Sequence, residues 1–288
     1  MAERVKVITS AAAFQTELAA AGDRLVVLEV VDPDTLDATA EAAGAGWQEQ
    51  ARDAAAAAAA RSETIKHTFA RTARDCPDSV FLELDVGSNS ADLASLGVSQ
   101  LPTVQFYVGG RKVWEHAGWA GLEADLGEGV LFYGDAGAGG ARPSSIVAEI
   151  TDRPGLDAWL ASRAPAELAI LDVSTSSAAA CVKIFPAVLA LARNFAPGNF
   201  ASFARLMADG PTFGAGALTT DLGVTQAPTF VMFRGGVEVA RQVGPSRGDL
   251  IAKILSTQAA AGVKPPPPPV KERERIPRSG RVKPKVSL

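Results

Sequence analysis

The sequence predicts an α/β protein of two tandem domains, each with a central mixed sheet flanked by helices, followed by a disordered or extended Pro-rich basic tail. Three observations predict this arrangement. The chain has 288 residues, the length of about two ordinary domains. One strand–helix pattern occurs twice along it. A run of five prolines begins at Pro265, and such a run is extended.

Each copy of the repeat opens with a short strand and a capped helix. Ser10 and Asp152 stand at the predicted helix starts, where their side-chain oxygens can accept hydrogen bonds from free backbone N–H groups. A continuous apolar run follows, interrupted by one carboxylate, Glu29 in the first copy and Asp172 in the second. Such runs are typical of central strands that are covered on both faces.

The closing halves of the two copies match at a constant offset of 126 residues. An apolar strand, a Gly-Gly pair and a second strand predict a β-hairpin in each copy. A helix closes the second copy, with Leu250, Ile251, Ile254 and Leu255 on one face. The equivalent positions of the two copies include Pro102 and Pro228, Gly109 and Gly235, and Gly118 and Gly244.

The repeat and the local composition set the predicted domain boundaries. They place the first domain at 1–135, a Gly/Ala-rich linker at 136–144, the second domain at 145–260 and the tail at 261–288. The offset between the copies is larger before the hairpins because the first copy contains an Ala-rich insert at about 37–61. Its composition favours a surface helix or a mobile segment over a packed functional lid.

Charge is unevenly distributed along the chain. The net charge is −4, but the tail from Lys264 onward has eight Lys or Arg and two Glu, so it carries +6 and the rest carries −10. Because an acidic body repels phosphate, we expect no nucleic-acid partner. The tail is either a solvated, disordered extension or an arm that docks on an acidic protein surface within a larger assembly.

The composition also argues against metals, cofactors and membrane insertion. Cys76 and Cys181 are too few for a disulfide framework and fit a reducing compartment. The two histidines, His67 and His116, have no zinc-site spacing relative to the cysteines, and we expect no metal and no cofactor. No apolar run approaches the roughly 20 residues that a membrane span needs.

Two X-Pro-Thr sequences, Leu101-Pro102-Thr103 and Ala227-Pro228-Thr229, occur within this order of strands and helices. Together they resemble the thioredoxin family. Cys181 and Pro186 also have the spacing of the second active-site cysteine and the helix proline of that family. The chain further resembles the drought-induced stress proteins of plant chloroplasts, which are two thioredoxin modules with a dithiol only in the second. The segments that carry this second resemblance are 3–27, 129–135, 171–173 and 181–183.

The resemblance implies a cis peptide bond before each of these prolines, beside a peptide-binding groove. The groove positions in this sequence are Leu101, Pro102, Ala178, Ala227, Pro228 and Thr229. The resemblance also implies the chloroplast stroma. The start of the sequence shows no transit segment, so the cytoplasm and the cilium remain alternatives.

Ala178 stands where the family has its attacking cysteine. Dithiol reduction needs a first thiol at a helix N-terminus, which forms the mixed disulfide, and a second thiol, which releases the product. Only the second position, Cys181, is a cysteine here. Three interpretations of Cys181 stay open: a buried packing residue, a single-thiol site for a glutathione or sulfenic adduct, or half of a disulfide with Cys76.

The remaining polar and thiol positions have simpler interpretations. The resemblance assigns to Asp172 the transfer of a proton to the second cysteine. Without an attacking thiol, we interpret Asp172 as an inherited polar group that is hydrated or hydrogen-bonded, and Glu29 as its structural counterpart. Cys76 follows a predicted helix and is interpreted as a loop or packing thiol.

We therefore predict a redox-inactive or weakly redox-active thioredoxin-like protein that binds other proteins or acts as an assembly component. It is then not a disulfide oxidoreductase. The alternative is a single-thiol redox protein of the chloroplast stress-response type, with Cys181 acting alone. In that case the resemblance implies peroxiredoxins and methionine sulfoxide reductases as partners.

Overall fold

The computed structural model describes residues 4–31, 64–85, 90–136, 142–210 and 213–266. The Ala-rich insert, the middle of the predicted linker and the tail beyond Pro266 lie outside the described residues.

The two repeats form two modules with the same order of elements. The first module contains β1 (Val5–Ile8), α1 (Ala11–Ala21), β2 (Val26–Val31), α2 (64–75), β3 (Val80–Asp85), α3 (Ser90–Leu96), β4 (Thr103–Val108), β5 (Arg111–Ala117) and α4 (Leu122–Tyr133). The second module contains β6 (Val147–Ile150), α5 (Arg153–Ala161), β7 (Leu168–Ser174), α6 (Ala179–Phe195), β8 (Ala201–Met207), α7 (Phe213–Asp221), β9 (Thr229–Arg234), β10 (Val237–Val243) and α8 (Arg247–Ala260).

Each module has one five-stranded mixed sheet. The strand orders, β1-β3-β2-β4-β5 and β6-β8-β7-β9-β10, are equivalent. The first three strands of each sheet are parallel to one another. In each hairpin, the inner strand (β4 or β9) is antiparallel to its neighbour β2 or β7, and the outer strand (β5 or β10) is antiparallel to the inner one. The predicted fold class of two tandem thioredoxin-like domains is confirmed. Within the described residues, no helix is both long and apolar enough to cross a bilayer.

The helix starts and central strands follow the local sequence. The Ser10 hydroxyl accepts a hydrogen bond from the Ala13 amide at 3.1 Å, and the Asp152 carboxylate accepts one from the Gly155 amide at 2.8 Å. These bonds satisfy amides that have no partner inside the helix, so both predicted N-caps are confirmed. Every residue of β7 is buried, as its continuous apolar run predicts.

The two X-Pro-Thr loops are built alike. Both peptide bonds before Pro102 and Pro228 are cis. The carbonyl oxygens of these prolines accept hydrogen bonds from the amides of Gly118 (2.7 Å) and Gly244 (2.8 Å). Both glycines have positive φ, 87° and 95°, which favours glycine. A Cβ at Gly118 would also lie 2.6 Å from the Gln100 side-chain nitrogen.

The last helix differs in one detail from its predicted apolar face. Leu250 and Ile254 are fully buried, but Leu255 is 37% exposed. Gln258 takes the next buried position at the four-residue spacing. Its side-chain amide donates to the Phe200 carbonyl, and its side-chain oxygen accepts a hydrogen bond from Arg234 at 2.6 Å. A buried amide is tolerated here because these partners satisfy it.

Candidate functional site

The turn from β7 into α6 forms the candidate site of the second module. Ala178 is the N-cap of α6 and makes no side-chain capping bond. Its side chain is half-buried and packs against the core of the second module. An alanine at the start of the helix offers neither a thiol nor a capping oxygen.

Cys181 lies in the first turn of α6 and is fully buried. Burial raises the pKa of its thiol, although hydrogen bonds with Thr175 and Ser174 act in the opposite direction. Because the thiolate is the nucleophile, a buried thiol with a raised pKa is poorly suited to exchange. These properties favour the interpretation of Cys181 as a packing residue.

Cys76 belongs to the core of the first module. It is 1% exposed, and burial raises its pKa to about 11. This placement confirms its interpretation as a packing thiol. Both cysteines are free, and they lie in separate core clusters. The interpretation that pairs Cys76 with Cys181 in a disulfide is therefore wrong.

Asp172 is a fully buried carboxyl on β7, close to Cys181. One of its oxygens accepts a hydrogen bond from the Ser174 hydroxyl at 2.8 Å, and the other has no hydrogen-bond partner among the described residues. Burial raises the pKa of Asp172 to about 6, while Ser174 and Arg205 lower it. The carboxyl is therefore hydrogen-bonded on one side only.

The Asp172→Asn substitution is expected to remove a pH dependence of stability. The folded pKa of about 6 exceeds the usual 3.8, so the stabilisation by the bound proton is complete below pH 3.8. This stabilisation is lost as the pH rises to about 6, which lowers the free energy of unfolding by roughly 3 kcal/mol. Urea unfolding from pH 3.5 to 7 measures this loss, and an equally large loss in Asp172→Asn would contradict the assignment.

The predicted groove residues fall into two separate groups. Ala178 and Ala227 both pack against the core cluster that contains Cys181. Pro228 and Thr229 are buried beside them, and the Thr229 hydroxyl donates to the Gln226 carbonyl at 2.7 Å. Leu101 and Pro102 belong instead to the equivalent loop of the first module, where Leu101 packs against a different cluster.

Glu29 is the first module's counterpart of Asp172. It is fully buried on β2, and neither carboxyl oxygen has a hydrogen-bond partner among the described residues. Burial raises its pKa to about 8, with a further upward contribution from Glu83 and a downward one from Lys66. Glu29 and Glu83 are direct neighbours in the register of the parallel strands β2 and β3.

Sequence reasoning missed the residues that join the two modules. Tyr133, the last residue of α4, donates its hydroxyl hydrogen to the Ser176 carbonyl at 2.5 Å. The Ser176 amide and hydroxyl donate to the Asp209 carboxylate at 2.8 and 2.6 Å. The loop that leads into α6 therefore has partners in both modules. Tyr133 lies in segment 129–135, which the sequence marked only as part of a resemblance.

Aromatic and charged contacts extend this junction. Phe132 is 2% exposed, and its ring packs edge-on against Phe185 of α6 with centroids 5.3 Å apart. The Arg205 guanidinium lies over both rings and donates to the Phe132 carbonyl at 2.9 Å. Lys183 pairs with Asp125 and Glu128 of α4. The two modules thus share a packed and polar interface.

The described residues offer no group of three or more His, Cys, Asp or Glu that could hold a metal ion.

No family model matches the chain. It is 31% identical over 202 residues to the Thioredoxin-like protein CDSP32, chloroplastic, of Arabidopsis thaliana; the match covers 68% of this chain and 62% of that protein. The chain therefore spans less than two thirds of that relative's length.

Single-module relatives also match. The chain is 34% identical over 114 residues to thioredoxin of Mus musculus, a match that covers 40% of this chain and 86% of that protein. Among solved structures, thioredoxin f2 of Chlamydomonas reinhardtii matches with a TM-score of 0.35 and 22% identity, over 39% of this chain and 96% of that chain.

Proposed function

This chain belongs to the thioredoxin family, and from that premise we propose that it binds protein partners through its second module without exchanging disulfides. The observation that carries the proposal is the pairing of Ala178 at the helix start with a fully buried Cys181. Covalent exchange starts with an accessible thiolate. Neither residue supplies one, so binding remains as the function of this surface.

The proposed binding surface is the groove formed by Ala178, Ala227, Pro228 and Thr229. Ala178 and Ala227 both pack against the same core cluster and are only half-buried, so part of each side chain is accessible to a ligand. An extended peptide is the kind of ligand that can pair its backbone with an exposed strand or loop edge. The basic tail is proposed as a second, electrostatic contact with an acidic protein of a larger assembly.

One observation favours the alternative of a single-thiol redox protein that acts on peroxiredoxin or methionine sulfoxide reductase partners. Cys181 has polar neighbours, since Ser174 and Thr175 form hydrogen bonds with its thiol and the Asp172 carboxyl lies close by. The relative CDSP32 is named as chloroplastic, which supports the chloroplast as the compartment in which partners of either kind are sought.

Disulfide reduction tests the proposal directly. The wild-type protein is expected to reduce insulin disulfides no faster than dithiothreitol alone. The Ala178→Cys variant is expected to exceed that background by roughly tenfold or more, because the new thiolate supplies the missing covalent step. The measurement is the turbidity of precipitating insulin chains over time.

Two further variants make the outcome decisive. Adding Cys181→Ser to Ala178→Cys is expected to bring the rate back towards the dithiothreitol background, since the protein no longer has a second thiol to resolve the mixed disulfide. Wild-type turnover that disappears in Cys181→Ser would overturn the binding proposal in favour of the single-thiol alternative. An inert Ala178→Cys variant would contradict the placement of Ala178 at the attacking position.

A further inference from the structure

The loop between β7 and α6 is held by a residue of the other module. Tyr133 ends α4 of the first module, and its hydroxyl bonds to the carbonyl of Ser176, two residues before Ala178. We propose that Tyr133 is a positioning residue of the second module's binding site, which fixes the loop that carries Ala178. What the site binds rests on the proposed function, but the positioning can be measured without a partner.

Ser176 is immobilised from two directions. Its amide and hydroxyl donate to the Asp209 carboxylate, and its carbonyl accepts from Tyr133. Both backbone polar groups of this residue are therefore engaged, which fixes the orientation of its peptide planes. Ser177 and Ala178 follow directly, so the direction of the Ala178 side chain depends on these bonds.

Tyr133 is itself held firmly enough to act as a fixed donor. Its ring packs edge-on against Phe132 with centroids 4.9 Å apart, and it lies tilted against the Phe106 ring with centroids 5.9 Å apart. Phe132 in turn packs against Phe185 and lies under the Arg205 guanidinium. Burial raises the pKa of Tyr133, as do the nearby Asp209 carboxylate and the Cys181 thiol. The hydroxyl therefore keeps its proton and stays a donor at neutral pH.

The hydrogen bond also affects the electrostatics at the start of α6. A carbonyl oxygen carries partial negative charge, and an accepted hydrogen bond offsets part of it. Without the Tyr133 hydroxyl, the Ser176 carbonyl would present that charge uncompensated near residue 178, and its peptide would be freer to move. An anionic group at residue 178 would then be stabilised less well.

A reporter thiol at position 178 makes this effect measurable. The Ala178→Cys/Cys181→Ser background provides one thiol at the helix start, and its reaction with the chromogenic disulfide dithionitrobenzoate is followed from pH 5 to 9. Adding Tyr133→Phe is expected to move the midpoint of the pH–rate profile upward. It is also expected to slow the reaction at pH 7 by roughly threefold, the effect of one net hydrogen bond of ordinary strength.

Tyr107→Phe is the matched control. Tyr107 is a buried tyrosine whose hydroxyl, like that of the half-buried Tyr133, donates to a single acceptor, here the Gln105 side-chain oxygen at 2.7 Å within the first module. Removing that hydroxyl is expected to leave the profile of the reporter thiol unchanged. Because Tyr133→Phe keeps the aromatic ring, the module interface stays packed and a loss of folding does not confound the comparison.

The outcomes separate this inference from the proposed function. If the reporter thiol reacts, but the midpoint of its pH–rate profile and its rate at pH 7 do not change when Tyr133→Phe is added, the positioning role is overturned. The proposed function would still stand. Equal shifts from Tyr133→Phe and Tyr107→Phe would also overturn the positioning role, since the effect would then be general. A reporter thiol that does not react would instead contradict the placement of Ala178, on which the proposed function depends.

Discussion

Replacing Glu29 with glutamine is expected to raise the free energy of unfolding at pH 8 by about 5 kcal/mol, at roughly 1.4 kcal/mol per pKa unit. The wild-type carboxyl is buried without a hydrogen-bond partner among the described residues and adjoins Glu83. Ionising it in this environment is costly. Glutamine has nearly the same shape and no charge, so it removes the cost. Urea unfolding at pH 5 and pH 8 measures the difference.

The sign of the effect follows from the proton that the folded protein retains. The pKa of Glu29 is raised from 4.5 to about 8, first by burial and then by Glu83. The stabilisation from that proton is complete below pH 4.5 and is lost as the pH rises to about 8. Glu123→Gln, at an exposed position of α4, is the control and is expected to follow wild type. A Glu29→Gln profile parallel to wild type would refute the assignment.

Truncating Phe132 to alanine is expected to destabilise the protein by about 3–5 kcal/mol, the usual cost of removing a buried phenylalanine side chain. The destabilisation should be concentrated at the contact between the modules, because the Phe132 ring packs against Phe185 and lies under Arg205. Hydrogen exchange measured by mass spectrometry should therefore show faster exchange in α6.

Phe69→Ala is the control for that substitution. Phe69 is equally buried but packs against Phe81 inside the first module. Its truncation should cost a similar free energy and leave exchange in α6 at the wild-type rate. Faster exchange in α6 from both variants, or from neither, would contradict the role of Phe132 in coupling the modules.

Local features of this fold could be predicted from the sequence because they depend on neighbouring residues. Ser10 and Asp152 cap their helices through bonds that span three residues. The repeated X-Pro-Thr sequences and their later glycines mark loops that are built in the same way in both modules. Repetition strengthened these signals, since each motif occurs twice, and those of the closing halves recur at a constant offset of 126 residues.

The interface between the modules could not be predicted in the same way. Tyr133 and Ser176 are 43 residues apart, and Arg205 reaches a carbonyl 73 residues away. Such contacts leave no periodic pattern in the sequence. Gln258 was missed for a related reason: a polar residue on an apolar helix face gives no sign that its partners lie at Phe200 and Arg234.

Intact-mass measurement of the native protein after incubation with oxidised glutathione tests most directly whether any of its thiols takes part in exchange. We expect the unmodified mass under native conditions, and two glutathione adducts once denaturant exposes both cysteines. A native adduct that maps to Cys181 would contradict the account.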